Sequence, residues 1–132
     1  MLVDTSVWVD YFNGYPSPEV ERLARAIADN EPITLPGIVW TEILLGIKTD
    51  AGANHIAGLL AVFETPQEPQ RRDYIEAAKL FRLCRTKGYT VRSVVDCIIA
   101  QLCLRDGDEL LSKDRDFKAI AKCTKLRLVE LT

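Results

Sequence analysis

The chain has a single histidine, His55, and its four cysteines (Cys84, Cys97, Cys103 and Cys123) include no C-x-x-C pair. Both shortages argue against a zinc centre built from imidazoles and thiolates, and unpaired thiols fit a reduced, cytoplasmic setting. No apolar run approaches the roughly 18 residues needed to span a bilayer. The N-terminus carries no basic segment ahead of an apolar core, so neither a signal peptide nor a membrane role is expected. Repeats, linkers and low-complexity tracts are missing as well. What remains is an ordinary globular composition, 48% hydrophobic and 27% charged, and residues 1–132 are expected to form a single domain with a substantial core.

Net charge is only −2, but its distribution is uneven. Residues 1–70 hold 3 Lys/Arg against 10 Asp/Glu, whereas residues 71–132 hold 14 against 9. Seven of those cations lie between Arg71 and Arg92, and six between Lys113 and Arg127. Solvated helix faces would account for them. The same asymmetry also suits an acidic pocket with a basic approach to it.

The chain begins with a short apolar run, Met1-Leu2-Val3, suited to a strand buried on both faces. Asp4 ends it, and Thr5 or Ser6 can cap the helix implied by Val7, Trp8, Tyr11 and Phe12. This order places a carboxylate at the carboxyl end of a strand, where open α/β sheets bind ligands. Helical stripes follow at Val20–Ile27, Val39–Ile47 and, more weakly, Ala51–Phe63. Ile33-Thr34-Leu35 reads as a short strand, and Glu64 to Pro69, with two prolines, as an edge strand or loop.

From Gln70 to Lys87 the pattern predicts a long amphipathic helix with Tyr74, Ala77, Ala78, Phe81 and Cys84 inward. A helix from Ser93 through Arg105 should bury Val94, Val95, Ile98, Ile99 and Leu102. Glu109-Leu110-Leu111 is a strand ending in Ser112-Lys113-Asp114. A short helix through Ala121 precedes a last strand, Leu126 to Leu131. Alternating strands and helices imply an α/β fold, a parallel sheet covered on both sides.

Four acids occupy comparable positions: Asp4 and Asp114 follow strands, while Glu42 and Asp96 sit in early turns of apolar helices. Each has a plain structural account. Asp4 could cap a helix, Glu42 could sit at an exposed helix edge, Asp96 could close an S-x-x-D capping box with Ser93, and Asp114 or Asp116 could cap the helix before Phe117. Taken together they point to convergence. Two unit charges about 4 Å apart repel by roughly 4 kcal/mol at an effective dielectric near 20, so such a cluster calls for protons or divalent cations. Oxygen ligands without His or Cys favour Mg²⁺ or Mn²⁺. Ions of that kind activate water and stabilise displacement at phosphorus, with basic residues supplying phosphate contacts.

In its motifs the sequence resembles the PIN-domain ribonucleases, specifically the VapC toxins of type II toxin–antitoxin pairs. The matching residues are Val3-Asp4-Thr5-Ser6, Thr41-Glu42-Ile43-Leu44-Leu45-Gly46, Val91-Arg92-Ser93-Val94-Val95-Asp96-Cys97-Ile98-Ile99-Ala100 and Lys113-Asp114-Arg115-Asp116-Phe117. The resemblance implies a parallel sheet of about five strands flanked by helices on both faces. It implies metal-dependent endonucleolytic cleavage of RNA, with Asp4, Glu42, Asp96 and Asp114 as catalytic, metal-binding acids around Mg²⁺ or Mn²⁺. Asp116 is implied as a further ligand or a neighbour, and Thr5 and Ser6 as supporting hydroxyls. It also implies a homodimer held inactive by a VapB-type antitoxin in a hetero-oligomer, with a basic antitoxin side chain entering the acidic pocket.

Other classes fit less well. A haloacid-dehalogenase-like phosphatase would want a second Asp where Ser6 stands. A receiver domain would want paired acids closing an early strand and a phosphoacceptor on a central one, and neither is found. A non-catalytic PIN-like RNA- or protein-binding module should have lost one or more acids, and all four are present. Trp8 and Trp40, at helical spacing among apolar residues, read as core, and His55 as a surface side chain.

Overall fold

The computed structural model describes residues 1–131. Leu2–Val3 (β1) lies alongside Glu109–Leu111 (β2) in parallel, with Leu2 opposite Leu110 and Val3 opposite Leu111. Arg127–Leu128 (β3) continues the sheet beyond β2, again in parallel. On the other side of β1, Leu2 bridges Thr34, and Thr34 bridges Glu64. The sheet expected to have about five strands is thus three short strands extended by two single-residue bridges. Proline explains part of this. Pro32 and Pro36 bracket the Ile33–Leu35 segment, and residues that lack an N–H cannot extend a ladder. The last strand is likewise shorter than expected, ending at Leu128.

Successive strand residues point to opposite faces, and both residues of β1 are buried, as are Leu110 and Leu111. The sheet is therefore covered on both sides at its centre. The helices are α1 (Thr5–Asn13), α2 (Pro18–Ala28), α3 (Gly37–Leu45), α4 (Asp50–Leu60), α5 (Arg71–Thr86), α6 (Val94–Asp106) and α7 (Arg115–Cys123). None of them is long and apolar enough to cross a membrane. Trp8 is fully buried between Phe12 and Phe63, Trp40 is half-buried against the core and His55 is exposed. The four cysteines are free and buried.

Local chemistry sets several helix ends. Ser17 accepts a hydrogen bond from the Val20 N–H and Pro18 occupies the first turn of α2. α1 ends at Gly14, whose φ of 73° is a left-handed conformation that only glycine adopts without strain.

The inward faces of α5 and α6 differ from the pattern reading. Asp73, Ala77, Leu80 and Cys84 are buried on α5, whereas Tyr74 and Ala78 face outward; on α6, Val94 is exposed. Asp73 is only 2% exposed, and its carboxylate is fully engaged. Oδ2 accepts from the Gln70 N–H at 2.8 Å and from Arg105 Nη1 at 2.9 Å, and Oδ1 accepts from Gln101 Nε2 at 3.3 Å. Arg105 also donates to the Gln67 carbonyl at 2.9 Å, so one cluster ties α5, α6 and the 67–70 segment together. The backbone N–H of Gln70, with Gln101 and Arg105, holds the Asp73 carboxyl below its ordinary value. Its contribution is lost as the pH falls through the carboxylate range. Asp73→Ala would leave three donors unmatched and should cost about 3 kcal/mol in a urea melt. A loss under about 1 kcal/mol would show that the cluster is dispensable.

Candidate functional site

From β1 the chain steps outward through Thr34 to Glu64 and later returns to β2 on the opposite side of β1. The two strands flank the point where strand order reverses, and their carboxyl ends are where such sheets place a ligand. The Val3–Leu111 register puts Asp4 next to Ser112. The Asp4 N–H donates to the Leu111 carbonyl at 2.9 Å, which fixes the backbone of the acid to the neighbouring strand.

Asp4 occupies the N-cap position of α1, but its side chain makes no capping hydrogen bond. Its Oδ2 instead accepts from the Ser6 and Ser112 hydroxyls, both at 3.0 Å. Ser112 Oγ in turn accepts from the Asp114 N–H at 3.0 Å, and Ser6 Oγ from the Lys113 N–H at 3.4 Å. Two hydroxyls thus join the ends of β1 and β2. Neither Thr5 nor Ser6 is the cap that their position suggested: the Thr5 hydroxyl donates to Glu42 Oε1 at 2.9 Å, bringing the half-buried acid of α3 to the start of α1.

Asp114 is the N-cap of α7, where its Oδ1 accepts from the Asp116 N–H at 2.9 Å. Asp116 is 3% exposed and accepts from the Arg92 N–H at 3.0 Å. On α6, Ser93 Oγ accepts from the Asp96 N–H at 3.3 Å, the first half of a capping box. Asp96 Oδ2, however, is buried with no hydrogen-bond partner among the described residues. One carboxylate oxygen each of Asp96, Asp114 and Asp116 lies within 4.8 Å of the others.

Electrostatics follow from this packing. Burial, and then the negative charges of Asp114, Asp4, Asp116 and Glu42, push the Asp96 carboxyl up to about 7. Burial also raises Asp4, against the opposing hydrogen bonds from Ser112 and Ser6. A buried anion with an unpartnered oxygen is expensive unless a proton or cation meets it. The donor set is all oxygen and anionic, so it fits a hard divalent cation.

Ser112 is the site residue that the sequence reading passed over. Its signal was present: a hydroxyl at the end of an apolar strand, two residues before an acid, repeats in reverse order the acid and hydroxyl of Asp4 and Ser6. Arg92 was likewise noted only as part of a motif.

The PIN-domain profile matches residues 1–122. A VapC ribonuclease of Mycobacterium bovis is 37% identical over 134 residues, covering 96% of each chain. Among solved structures, VapBC2 of Rickettsia felis, bound to a DNA fragment from its promoter, superposes with a TM-score of 0.76 at 18% identity, over 99% of this chain and 98% of that one. VapBC-1 of nontypeable Haemophilus influenzae gives 0.73 at 16% identity, over 98% and 96%. The structural likenesses speak for the fold, and the sequence identity over nearly full length speaks for kinship: the chain belongs to the PIN-domain family of VapC ribonucleases.

Proposed function

We propose that this chain is an endoribonuclease, the toxin of a VapBC-type toxin–antitoxin pair, and that it cuts RNA phosphodiesters at the acid cluster with Mg²⁺ or Mn²⁺. The observation that carries this reading is Asp96 Oδ2, buried and unpartnered among further acids. Asp4, Asp96 and Asp114 would hold the cation, with Asp116 as a further ligand and Glu42 as a ligand or as the group that orients the attacking water. When bound, a divalent cation lowers the pKa of water and stabilises charge on phosphate oxygens.

The chain's own residues do the rest. Ser6 and Ser112 fix one oxygen of Asp4 by hydrogen bonds and so hold this acid at the end of the sheet. Thr5 restrains Glu42, so an acid from α3 reaches the same end of the sheet. Asp114 spends one oxygen on the α7 cap and keeps its second for the cluster. Cations of the second half of the chain would meet RNA phosphates along the approach.

The proposed partners come from kinship with the VapC family, and the charge of the pocket says how one of them would act. A VapB-type antitoxin would silence the site by placing an Arg or Lys where the cation sits, and a homodimer is the proposed state of the free toxin. No observation favours a non-catalytic binding module over this reading, since Asp4, Glu42, Asp96 and Asp114 are all present in the chain.

The test is cleavage of a single-stranded RNA, with thermal melting alongside. Cleavage is expected in Mg²⁺ or Mn²⁺ and not in EDTA, and either ion at millimolar concentration should raise the melting temperature by several degrees, as ligand binding to the folded state requires, on the order of 2–3 kcal/mol at a hundredfold excess over Kd. A melting curve indifferent to both ions, together with EDTA-resistant cleavage, would overturn the metal assignment.

A further inference from the structure

The cations of the described residues differ in what their donors do. Arg22 is spent on a bidentate pair with Glu31, Arg105 on Asp73, Asp106 and the Gln67 carbonyl, and Arg127 on the Gly107 carbonyl. Lys113, beside the site in sequence, is paired with Asp10. Arg115, between Asp114 and Asp116, is exposed and makes no hydrogen bond or ion pair among the described residues, and Arg92 is the cation that both reaches an acid of the cluster and keeps its guanidinium free of hydrogen bonds. Its backbone N–H donates to Asp116 Oδ2 at 3.0 Å, while its guanidinium makes no hydrogen bond among the described residues. Nε stands 3.6 Å from Asp116 Oδ1, and the side chain is 58% exposed.

This geometry has two halves. The backbone contact anchors Arg92 to a buried acid of the cluster. The side chain, by contrast, makes only a long, solvent-screened ion pair, of the kind that holds a guanidinium weakly. Among the five acids of the cluster, Asp116 is the only one with a Lys or Arg in ion-pair reach among the described residues. A planar fork of unspent donors at the mouth of an anionic cluster suits one class of ligand, a phosphate that approaches the acids from outside.

We infer that Arg92 is an RNA-contacting residue of this nuclease: its guanidinium grips a backbone phosphate of the strand lying over the acids, and rests against Asp116 when no strand is there. The inference rests on the ribonuclease reading above. It assigns Arg92 to substrate binding and leaves the acids their own role.

The experiment pairs Arg92→Gln and Arg92→Lys with the wild type. Fluorescence anisotropy of a labelled single-stranded oligoribonucleotide is followed in EDTA across a salt series, and steady-state cleavage is measured in Mg²⁺. Arg92→Gln is expected to weaken binding by roughly tenfold near 0.1 M salt, the order of one charge-assisted contact. Its log–log salt slope should be shallower by about 0.7, as for one lost phosphate contact on a single strand. KM should rise by a similar factor with kcat within about twofold of wild type. Arg92→Lys should restore the slope and only part of the affinity, because an ammonium keeps the charge but not the fork. The backbone bond to Asp116 survives both changes, so melting temperatures should agree within about 2 °C.

Wild-type affinity and slope in Arg92→Gln would sink the assignment, and so would a fall in kcat at constant KM, which would make Arg92 a mere prop for Asp116. Both results leave wild-type cleavage standing. Absence of metal-dependent cleavage by the wild type would instead remove the ribonuclease reading, and this inference with it.

Discussion

Asp4→Asn is expected to lower RNA cleavage by about a hundredfold or more while leaving the protein folded, since loss of even an outer partner of a metal ligand typically costs 10- to 100-fold. The change is nearly isosteric. The carboxamide oxygen can still accept from the Ser6 and Ser112 hydroxyls that now hold Oδ2. What is lost is one negative charge and the second oxygen, replaced by an NH₂ that cannot ligate a cation. Burial already disfavours ionised Asp4, so the neutral variant should melt at the wild-type temperature or slightly above it. Gel-based cleavage in Mg²⁺ beside a melting curve decides the matter, and equal cleavage by the two proteins would remove Asp4 from the chemistry.

Asp96→Asn should do something less usual for a site substitution: stabilise the protein. The Asp96 carboxyl sits near 7 in the folded chain against 3.8 as its ordinary value. Between those values the folded state binds a proton that the unfolded state does not, so stability falls as the pH rises through that window. By pH 8 the folded protein carries the ionised, unpartnered carboxylate at a cost on the order of 2–4 kcal/mol. A neutral amide escapes that cost. In EDTA at pH 8, Asp96→Asn is expected to melt roughly 5–10 °C higher than wild type. The gain should shrink as the pH falls through that window and vanish only below 3.8, where the carboxyl is protonated in both the folded and the unfolded chain. The same variant should lose most of its cleavage and most of the melting shift caused by Mg²⁺. A variant no more stable than wild type at pH 8 would mean that the carboxylate is already satisfied without a cation.

Much of the fold was legible because the chain states it locally. Val3-Asp4 marks a strand end, Ser93 marks a helix start, and Glu109-Leu110-Leu111 is observed as the strand the apolar run predicts. The sheet falls short of five full strands because the segment between Pro32 and Pro36 makes only single-residue bridges, where prolines cannot extend the ladder. The α5 face was misassigned for a different reason. Tyr74 and Ala78 fit the apolar stripe as well as Leu80 does, and a charged Asp73 reads as exposed until its cation is known. That cation, Arg105, lies 32 residues away on another helix, a distance over which periodicity carries no information. The acids could be gathered by pattern, whereas Ser112 and Arg92 acquire meaning only through a sheet register and a through-space contact.

The pairing of β1 with β2 has a consequence for the life of the molecule on the ribosome. Val3 meets Leu111, and Asp4 is secured by Ser112, so Asp4 waits for partners more than a hundred residues downstream. Such long-range parallel pairing closes late, after the loop entropy of the intervening chain has been overcome. A nascent chain lacking Ser112, Asp114 and Asp116 holds only part of the cluster. The acid cluster is therefore incomplete until the segment from Ser112 to Asp116 has been made and has paired with the β1 end.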